Sequence, residues 1–408
     1  MDETRVEAPA RTKNQRGSPG EVFAAFLKLG LTSFGGPIAH LGYFRDELVV
    51  RRRWIDEKGY ADLVALCQFL PGPASSQVGF ALGLLRGGPL GAAAAWTAFT
   101  LPSAILLVLF ALGAAAFGGP VGSGIIHGLK VVAVAIVAQA VWGMARTLCP
   151  DRARASIALA AVLIIVVVSG SIGQITAIVA GGLAGLWLCR SKAEAISGHM
   201  TFPVSHAVGT IALVLFFALL FGLPALVAAT DAQGMAVFDS FYRAGSLVFG
   251  GGHVVLPLLE TETVRTGWVS ADQFLAGYGA AQAVPGPLFT FAAYLGTVLG
   301  PEPNGLVGAA IALVAIFLPG FLLLIGVIPY WDAFRSRPTA QALMRGANAA
   351  VVGILGAALY QPVWTGAILG PYEFALALTC FVLLMAWKAP PWIVVIVAAT
   401  GGVLIGLA

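Results

Sequence analysis

Four stretches of this chain carry no charged residue: Ala207–Thr230, Gly305–Trp331, Ala347–Pro371 and Trp392–Ala408. Each approaches or exceeds the ~20 residues that take a helix across a hydrocarbon core. They are continuously apolar rather than alternating, which excludes a transmembrane β-barrel. Composition points the same way. Of 408 residues, 59% are hydrophobic and 10% are charged, where a soluble domain carries about 25% charged residues. There are too few polar side chains to cover a globular surface in water. The expected fold is an all-α polytopic membrane protein, with the lipid bilayer as its first partner.

Several function classes fall away. Residues 1–20 are polar and of mixed charge (Asp2, Glu3, Arg5, Glu7, Arg11, Lys13, Arg16). Without the apolar core of a cleavable signal peptide, they read as a disordered cytoplasmic leader. A net charge of +4 reflects loop charges that orient helices, not nucleic-acid binding. Cys67, Cys149, Cys189 and Cys380 form no CxxC pair and have no histidine at metal spacing, so they read as packing residues. Neither a metal nor a cofactor is expected. The chain has no phosphate loop to suggest ATP drive and no flavin, haem or iron–sulfur motif, so it does not read as an enzyme.

The sequence repeats itself. Phe26, Gly30, Phe34, Gly35 and Gly36 recur at one constant offset as Phe241, Gly245, Phe249, Gly250 and Gly251, and Glu47 recurs as Glu262. One deletion later, Trp54, Gln68, Pro71, Gly72 and Pro73 recur as Trp268, Gln282, Pro285, Gly286 and Pro287. Leu101–Pro102 returns as Leu318–Pro319, and Gly128 as Gly346. Two homologous halves follow, residues 21–192 and 236–408, joined by a linker over 193–235.

Beyond the glycine- and proline-rich segments, the first half has apolar stretches at about 88–118, 124–148, 154–169 and 172–189. The second has them at about 304–331, 341–364, 368–387 and 391–407, and the linker adds 203–229. One crossing between two even-numbered repeats turns the second over, the inverted-topology arrangement of many secondary transporters. Loop charge agrees. Arg45, Arg51, Arg52, Arg53 and Lys58 outweigh Asp46, Glu47, Asp56 and Glu57, whereas the counterpart loop has only Arg265 against Glu260, Glu262 and Asp272. With the N-terminus cytoplasmic, the clusters Arg146/Arg152/Arg154, Arg190/Lys192, Arg335/Arg337 and Lys388 all fall inside. Arg51–Arg53 and Arg86 share that side only if the Gly-Gly-Pro and Pro-Gly-Pro segments are broken or re-entrant. That gives nine full crossings; thirteen result if all four segments span. Either count is odd, so the C-terminus is expected outside.

The motifs with the most chemistry are Ser33–His40 (SFGGPIAH) and Gln68–Gln77 (QFLPGPASSQ). Proline removes a backbone donor and glycine tolerates unusual dihedrals, so Pro-Gly-Pro interrupts a helix. At membrane depth the freed groups must be met by protein or by a wet cavity. A half-helix restarting at Ala74 presents free N–H groups and its positive dipole end, a ready anion site, with Ser75, Ser76 and Gln77 as further donors. A packing kink is the competing reading. Two copies at matching positions, each preceded by a glutamine, favour the functional one. After Pro287 the chain reads Leu288-Phe289-Thr290-Phe291, so the first half should dominate anion binding.

Ionisable residues inside apolar segments are candidates by default. Lys28 matches Arg243 and His127 matches Arg345, while His40 and His253 lie in one region without strict equivalence. Cations related by pseudo-symmetry suit a small-anion path. Bland readings stay open: Lys28 snorkelling, Arg243 pairing with Asp239, His127 as a core histidine, Arg45 as a positive-inside anchor, and Arg86 at a favourable helix C-terminus.

The stretches FGGPIAHLGYFRDELVVRRRWI, LCQFLPGPASSQVGFALGLLRGGPLGA and FTLPSA, with FGGGHVVLPLLETETV and QAVPGP in the second half, resemble the chromate ion transporter family in its long, two-domain form. The similarity runs over essentially the whole chain past the leader. The resemblance implies chromate efflux and chromate resistance in a bacterial inner membrane, with chromate as the transported partner. Export of a dianion gains about 2.3 kcal/mol per charge per 100 mV from an interior-negative potential, alone or with proton exchange through His40, His127 or Glu47. Sulfate shares the shape and charge of chromate, so a sulfate or other oxyanion transporter, working in either direction, is the first alternative. An anion channel is the second. A homodimer is left open, since two halves complete a pseudo-symmetric pair within one chain.

Overall fold

The computed structural model describes residues 17–114, 119–190, 202–335 and 337–407. Most of the expected leader and part of the expected linker lie outside the described residues, which contain no strand. The chain opens with a short helix α1 (Pro19–Thr32), a glycine turn, and α2 (Gly36–Phe44), which continues through a π-helical stretch Arg45–Arg51. Next come α3 (Glu57–Phe69), the first Pro-Gly-Pro, and α4 (Ala74–Ala114), itself broken at Gly88. Then follow α5 (Gly119–Leu148), α6 (Arg152–Val167) and α7 (Ser171–Leu188). The helix α8 (His206–Thr230) leads to the second half.

That half repeats the order. Its helices are α9 (Gln233–Ser246), α10 (Val255–Thr263), α11 (Ala271–Ala281), α12 (Phe291–Val298), α13 (Gly305–Val327), α14 (Trp331–Arg335) and α15 (Pro338–Ala358). The short α16 (Thr365–Ala367), α17 (Pro371–Met385) and α18 (Pro391–Leu407) complete it. Among the described residues, α4, α5, α7, α8, α13 and α15 give six helices long and apolar enough to cross a membrane, with α17 and α18 shorter apolar helices. The chain is a multi-pass membrane protein.

Both broken segments of the first half return to the face they came from. Arg52, just past α2, and Arg86, at the end of the first arm of α4, lie over the same Trp54 ring at 5.7 and 5.6 Å. Gly17, just before α1, donates its amide to the Arg86 carbonyl at 2.9 Å, and Arg86 pairs with Glu21 at 3.1 Å. One level of the molecule therefore holds the start of α1, the exit from α2 and the end of the first arm of α4. In the second half, Gly300 ahead of α13 donates to the carbonyl of Trp268, the counterpart of Trp54, at 2.8 Å. The second arm of α4 with α5, α6 and α7 follows the hairpins in the first half, α13, α15, α17 and α18 in the second, and α8 lies between, the order that an inverted repeat requires.

The recurring glycines mark where backbones cross. A methyl group at Gly30 would sit 2.8 Å from the Ala98 and Phe99 carbonyl oxygens of α4, and one at Gly245 would collide with Ile316 of α13. Likewise, Gly128 meets Ala398 of α18, and Gly346 meets Gly181 of α7. Small residues let helices approach where lipid supplies no hydrophobic drive. The pattern also shows an exchange: α6 and α7 pack on α15 of the other half, while α17 and α18 pack on α5. Aromatic side chains bind α4 to α13, with Phe80 stacked on Phe321 at 4.3 Å and Trp96 edge-on to Phe317 at 5.8 Å.

Candidate functional site

The four helix breaks converge, and they do so crosswise. Pro71 and Pro73 carry no N–H, so Gly72 holds the only amide donor in its tripeptide. That amide donates to the carbonyl of Val248 in the second half at 2.7 Å. Reciprocally, the Gly286 amide donates to the carbonyl of Ser33 in the first half at 2.9 Å. Ser33 and Val248 precede the two Phe-Gly-Gly turns at equivalent positions. Each half thus satisfies the break of the other, as a low-dielectric setting demands. Gly72 and Gly286 adopt φ of 123° and 98°, and Gly35 and Gly36 have φ of 99° and 80°. Pro37 enters the first turn of α2 and packs against Gly252.

The opposing kinks complete the crossing. Gly72 lies against Gly320, next to Pro319 in α13, and Gly286 lies against Ser103, next to Pro102 in α4. Pro285 and Pro287 flank Gly286 as Pro71 and Pro73 flank Gly72. Gln77 folds back, its amide nitrogen donating to the Pro71 carbonyl at 3.1 Å and the Gly320 carbonyl at 2.9 Å. Ser75 is buried with its hydroxyl 3.4 Å from Nδ1 of the equally buried His40, and His40 meets Phe99 edge-on at 5.4 Å. Around this first break, Ser33 Oγ, His40 Nε2, Ser76 Oγ, Gln77 Oε1 and Thr100 Oγ1 are buried without a protein partner among the described residues. An unmet buried polar atom costs about 1–3 kcal/mol, and these lie on the elements that meet at the two breaks.

Two cavities approach the crossing. The first, about 250 Å³, lies between α3, α14 and α15 and includes Gln68, Arg335, Gln341, Arg345 and Asn348. Arg335 pairs there with Asp62 at 3.0 Å and Asp332 at 2.9 Å, and Arg345 donates to the Cys189 carbonyl and to Gln341, both at 3.3 Å. The second, about 260 Å³, touches the Gly35–Gly36 turn, Gln139, Gln282 and Lys388. The two halves differ here. The counterparts of α3 and α15 are α11 and α5, which pack directly: a methyl at Gly279 would collide with the Leu129 backbone. Its equivalent, Ala65, lines the open cavity.

Most of the cations that the sequence singles out stand beside carboxylates. Lys28 pairs with Glu47 at 3.0 Å, and its counterpart Arg243 pairs with Glu262, the counterpart of Glu47, at 3.3 Å and with Asp239 at 2.7 Å. His127 meets Glu373 at 3.2 Å, Arg45 pairs with Glu57, and Arg86 with Glu21. The structure therefore brings Gly35, Gly36, His40, Ser75, Ser76, Gln77 and both Pro-Gly-Pro segments together. It holds Gln68, Gln282 and Arg345 at the adjoining cavities, and engages Lys28, Arg45, Arg86, His127 and Arg243 in ion pairs.

A model of the family described as chromate transporter matches residues 20–186 and again 235–403. The chain belongs to the chromate transporter family. It is 30% identical over 396 residues to a chromate transport protein of Pseudomonas aeruginosa, covering 93% of this chain and 90% of the relative. A chromate transport protein of Cupriavidus metallidurans is 28% identical, with 94% and 91% covered. A probable chromate transport protein of Synechococcus elongatus is 27% identical, with 93% of both covered. No solved structure matches.

This chromate-family chain also uses residues that sequence reasoning passed over. Lys130, buried on α5, reaches Asp272 at the start of α11 at 2.8 Å, and Asn348 lines the first cavity, its Oδ1 without a partner among the described residues. Lys130 and Asn348 stand at the same offset as His127 and Arg345, so a longer self-alignment of α5 with α15 would have found them. Gln139 carries no comparable sequence signal.

Proposed function

We propose that this chain is a secondary transporter that exports chromate from the cytoplasm across a bacterial inner membrane and so confers chromate resistance. The observation that carries this reading is the reciprocal crossing of helix breaks, with unpartnered hydroxyl and amide groups gathered around it, in a chain of the chromate transporter family. Donors of this kind suit a compact oxyanion, and broken helices at the interface of two repeats are where secondary transporters hold their cargo. Under this reading the N-terminus is cytoplasmic and the C-terminus outside. The functional units are the leader 1–20, the repeats 21–192 and 236–408, and the linker 193–235.

The difference between the two halves favours a carrier over a channel. α3 and α15 are held apart by a cavity over Ala65 and Gln68, whereas α11 and α5 touch at Gly279 and leave space only beyond it, at Gln282 and Gln139; a difference of this kind between the halves is what an alternating cycle requires. Membrane potential drives a dianion outward by about 2.3 kcal/mol per charge per 100 mV, so export needs no ATP. The test is chromium accumulation in chromate-treated cells that express the chain. We expect lower accumulation, reversed when the membrane potential is collapsed; unchanged or raised accumulation overturns the reading. Transport of sulfate or another oxyanion is the second reading, favoured by a site whose hydrogen-bond donors recognise shape and charge alone. Excess sulfate in the same assay separates the two.

A further inference from the structure

We propose that the cavity between the Gly35–Gly36 turn and the α17–α18 loop is an oxyanion-binding site whose cation is Lys388 and whose amide donors are Gln282 and Gln139. The inference deepens the transport function proposed above and rests on it for the identity of the anion.

Charge is the first argument. Among its described lining residues the cavity has Lys388 but no carboxylate. Several cations elsewhere stand beside acids: Lys28 with Glu47, Arg243 with Asp239 and Glu262, and Arg335 with Asp62. The first cavity contains Arg335, offset by Asp62, and Arg345, which donates to the Cys189 carbonyl and to Gln341; the charge at Lys388 is set against amides and backbone. Volume is adequate too: about 260 Å³ is room for roughly eight waters at ~30 Å³ each, enough for a tetrahedral oxyanion with part of its hydration shell.

The donors are the second argument. The Nε2 of Gln282 is buried with no acceptor among the described residues, and Gln282 lines this cavity. The same wall includes Gly35 and Gly36, where α2 begins with Gly35 in the left-handed conformation and offers its positive dipole end. His253 lines the cavity as well, its Nδ1 engaged with the Tyr278 hydroxyl at 2.8 Å.

The backbone at Lys388 is the third. Its φ is 52°, at the end of α17, where Trp387 donates to Val382 and Ala389 to Leu383. Such a cap is the usual place for glycine. A lysine there carries a backbone cost that its side chain does not repay by any contact to an acid in the cavity wall. Lys388 is exposed, so the strained position sets a cation at the rim of the cavity beneath the crossing. Because Gly35, Gly36 and Gln139 come from one half and Gln282 and Lys388 from the other, an anion bound here touches both and is released or held as they move.

Lys388→Gly removes the cation and relieves the backbone at once, so a folding defect does not confuse the result. The test uses the full-length chain in proteoliposomes, with chromate as the probe for transport. Sulfate and chromate are the probes for binding, read as the rise in thermal midpoint of purified protein. We expect Lys388→Gly to keep or raise the unliganded midpoint and to raise the KM for chromate about tenfold or more, the loss of one charge-assisted contact. Lys388→Arg should stay within a few-fold of wild type. Gln282→Glu, which sets a like charge against the anion, should abolish the midpoint rise. A Lys388→Gly variant with wild-type KM and wild-type anion-induced stabilisation overturns the site. Should the wild-type chain move no anion yet be stabilised by sulfate only with Lys388 present, the transport function falls and the site stands. Failure of both anions to stabilise the wild type overturns the site itself.

Discussion

The Gly72 amide and the Val248 carbonyl, 2.7 Å apart, join the Pro-Gly-Pro of one half to the Phe-Gly-Gly turn of the other, and Gly286 with Ser33 makes the same bond in reverse. Neither glycine amide finds its acceptor in its own half. The pair makes the centre of the molecule a joint property of both repeats.

Substitution at these glycines tests that centre. A side chain at positive φ costs about 1–3 kcal/mol, so Gly72→Ala and Gly286→Ala should each lower the thermal midpoint in detergent. The alanine at 286 also approaches Ser103 Oγ to 2.8 Å. Adding Ser103→Gly, which copies Gly320 in the other half, should recover part of the loss but not the backbone strain. A wild-type midpoint for Gly286→Ala would contradict the crossing.

The paired cations make an asymmetric prediction. Without Lys28, Glu47 still has Arg51 at 2.6 Å and Arg52 at 2.8 Å, and the Lys28 side chain is half exposed. Lys28→Ala should therefore cost about 1 kcal/mol or less. Arg243→Ala leaves Asp239 and Glu262, with side chains 8% and 9% exposed, without their shared cation, and should cost about 3 kcal/mol or more. Denaturation of the two variants in one detergent decides; equal losses refute the argument.

Gly279 tests the difference between the halves. Overpacking costs about 1–3 kcal/mol, so Gly279→Ala should prise α11 from α5, speed hydrogen exchange in α11 and slow transport. Ala65→Gly, at the equivalent place beside the open cavity, should leave stability within about 1 kcal/mol of wild type, the modest penalty of a helical glycine. Unchanged exchange in α11 with Gly279→Ala would mean that this contact does not hold the state.

Around the first-half break, Gln68→Ala and Ser75→Ala should each lower chromate transport while the amount of protein in the membrane stays constant. Wild-type rates for both would remove the first-half break from the transport path.

The shared Trp54 ring carries a topological prediction. Cysteines introduced at Asp46 and at Leu90, both exposed, should react with an impermeant reagent from the same side of the membrane. A reporter fused to the C-terminus should score on the opposite side. Labelling of the two cysteines from different sides would mean that the broken segments span.

Much of this was legible in the sequence because the repeat is a one-dimensional signal. Gly30 with Gly245, Gly128 with Gly346, and the two Pro-Gly-Pro segments lie at matching positions, and the structure uses each pair for the same job. The equivalence of Lys28 with Arg243, and of Glu47 with Glu262, was equally visible. Their contact was not, because it depends on a chain reversal between α1 and the end of α2. Cations that looked like an anion path are therefore largely neutralised. The crossing itself was hidden for another reason: an alignment of two halves shows what resembles what, never what touches what. The Gly279–Leu129 contact and the cavity beside Ala65 are alike in sequence and opposite in state, and a single sequence carries no mark of state.

The exchange of terminal helices has a consequence for how the molecule is made. Helices α6 and α7 pack on α15, and α18 and α17 on α5. During synthesis α6 and α7 emerge long before α15 exists, so the first half sits in the membrane with one flank uncovered while α8 to α14 are still being added. The last helices then close over α5, one of the earliest long ones. Assembly ends where it began, and a chain truncated before α15 lacks the surface on which α6 and α7 pack.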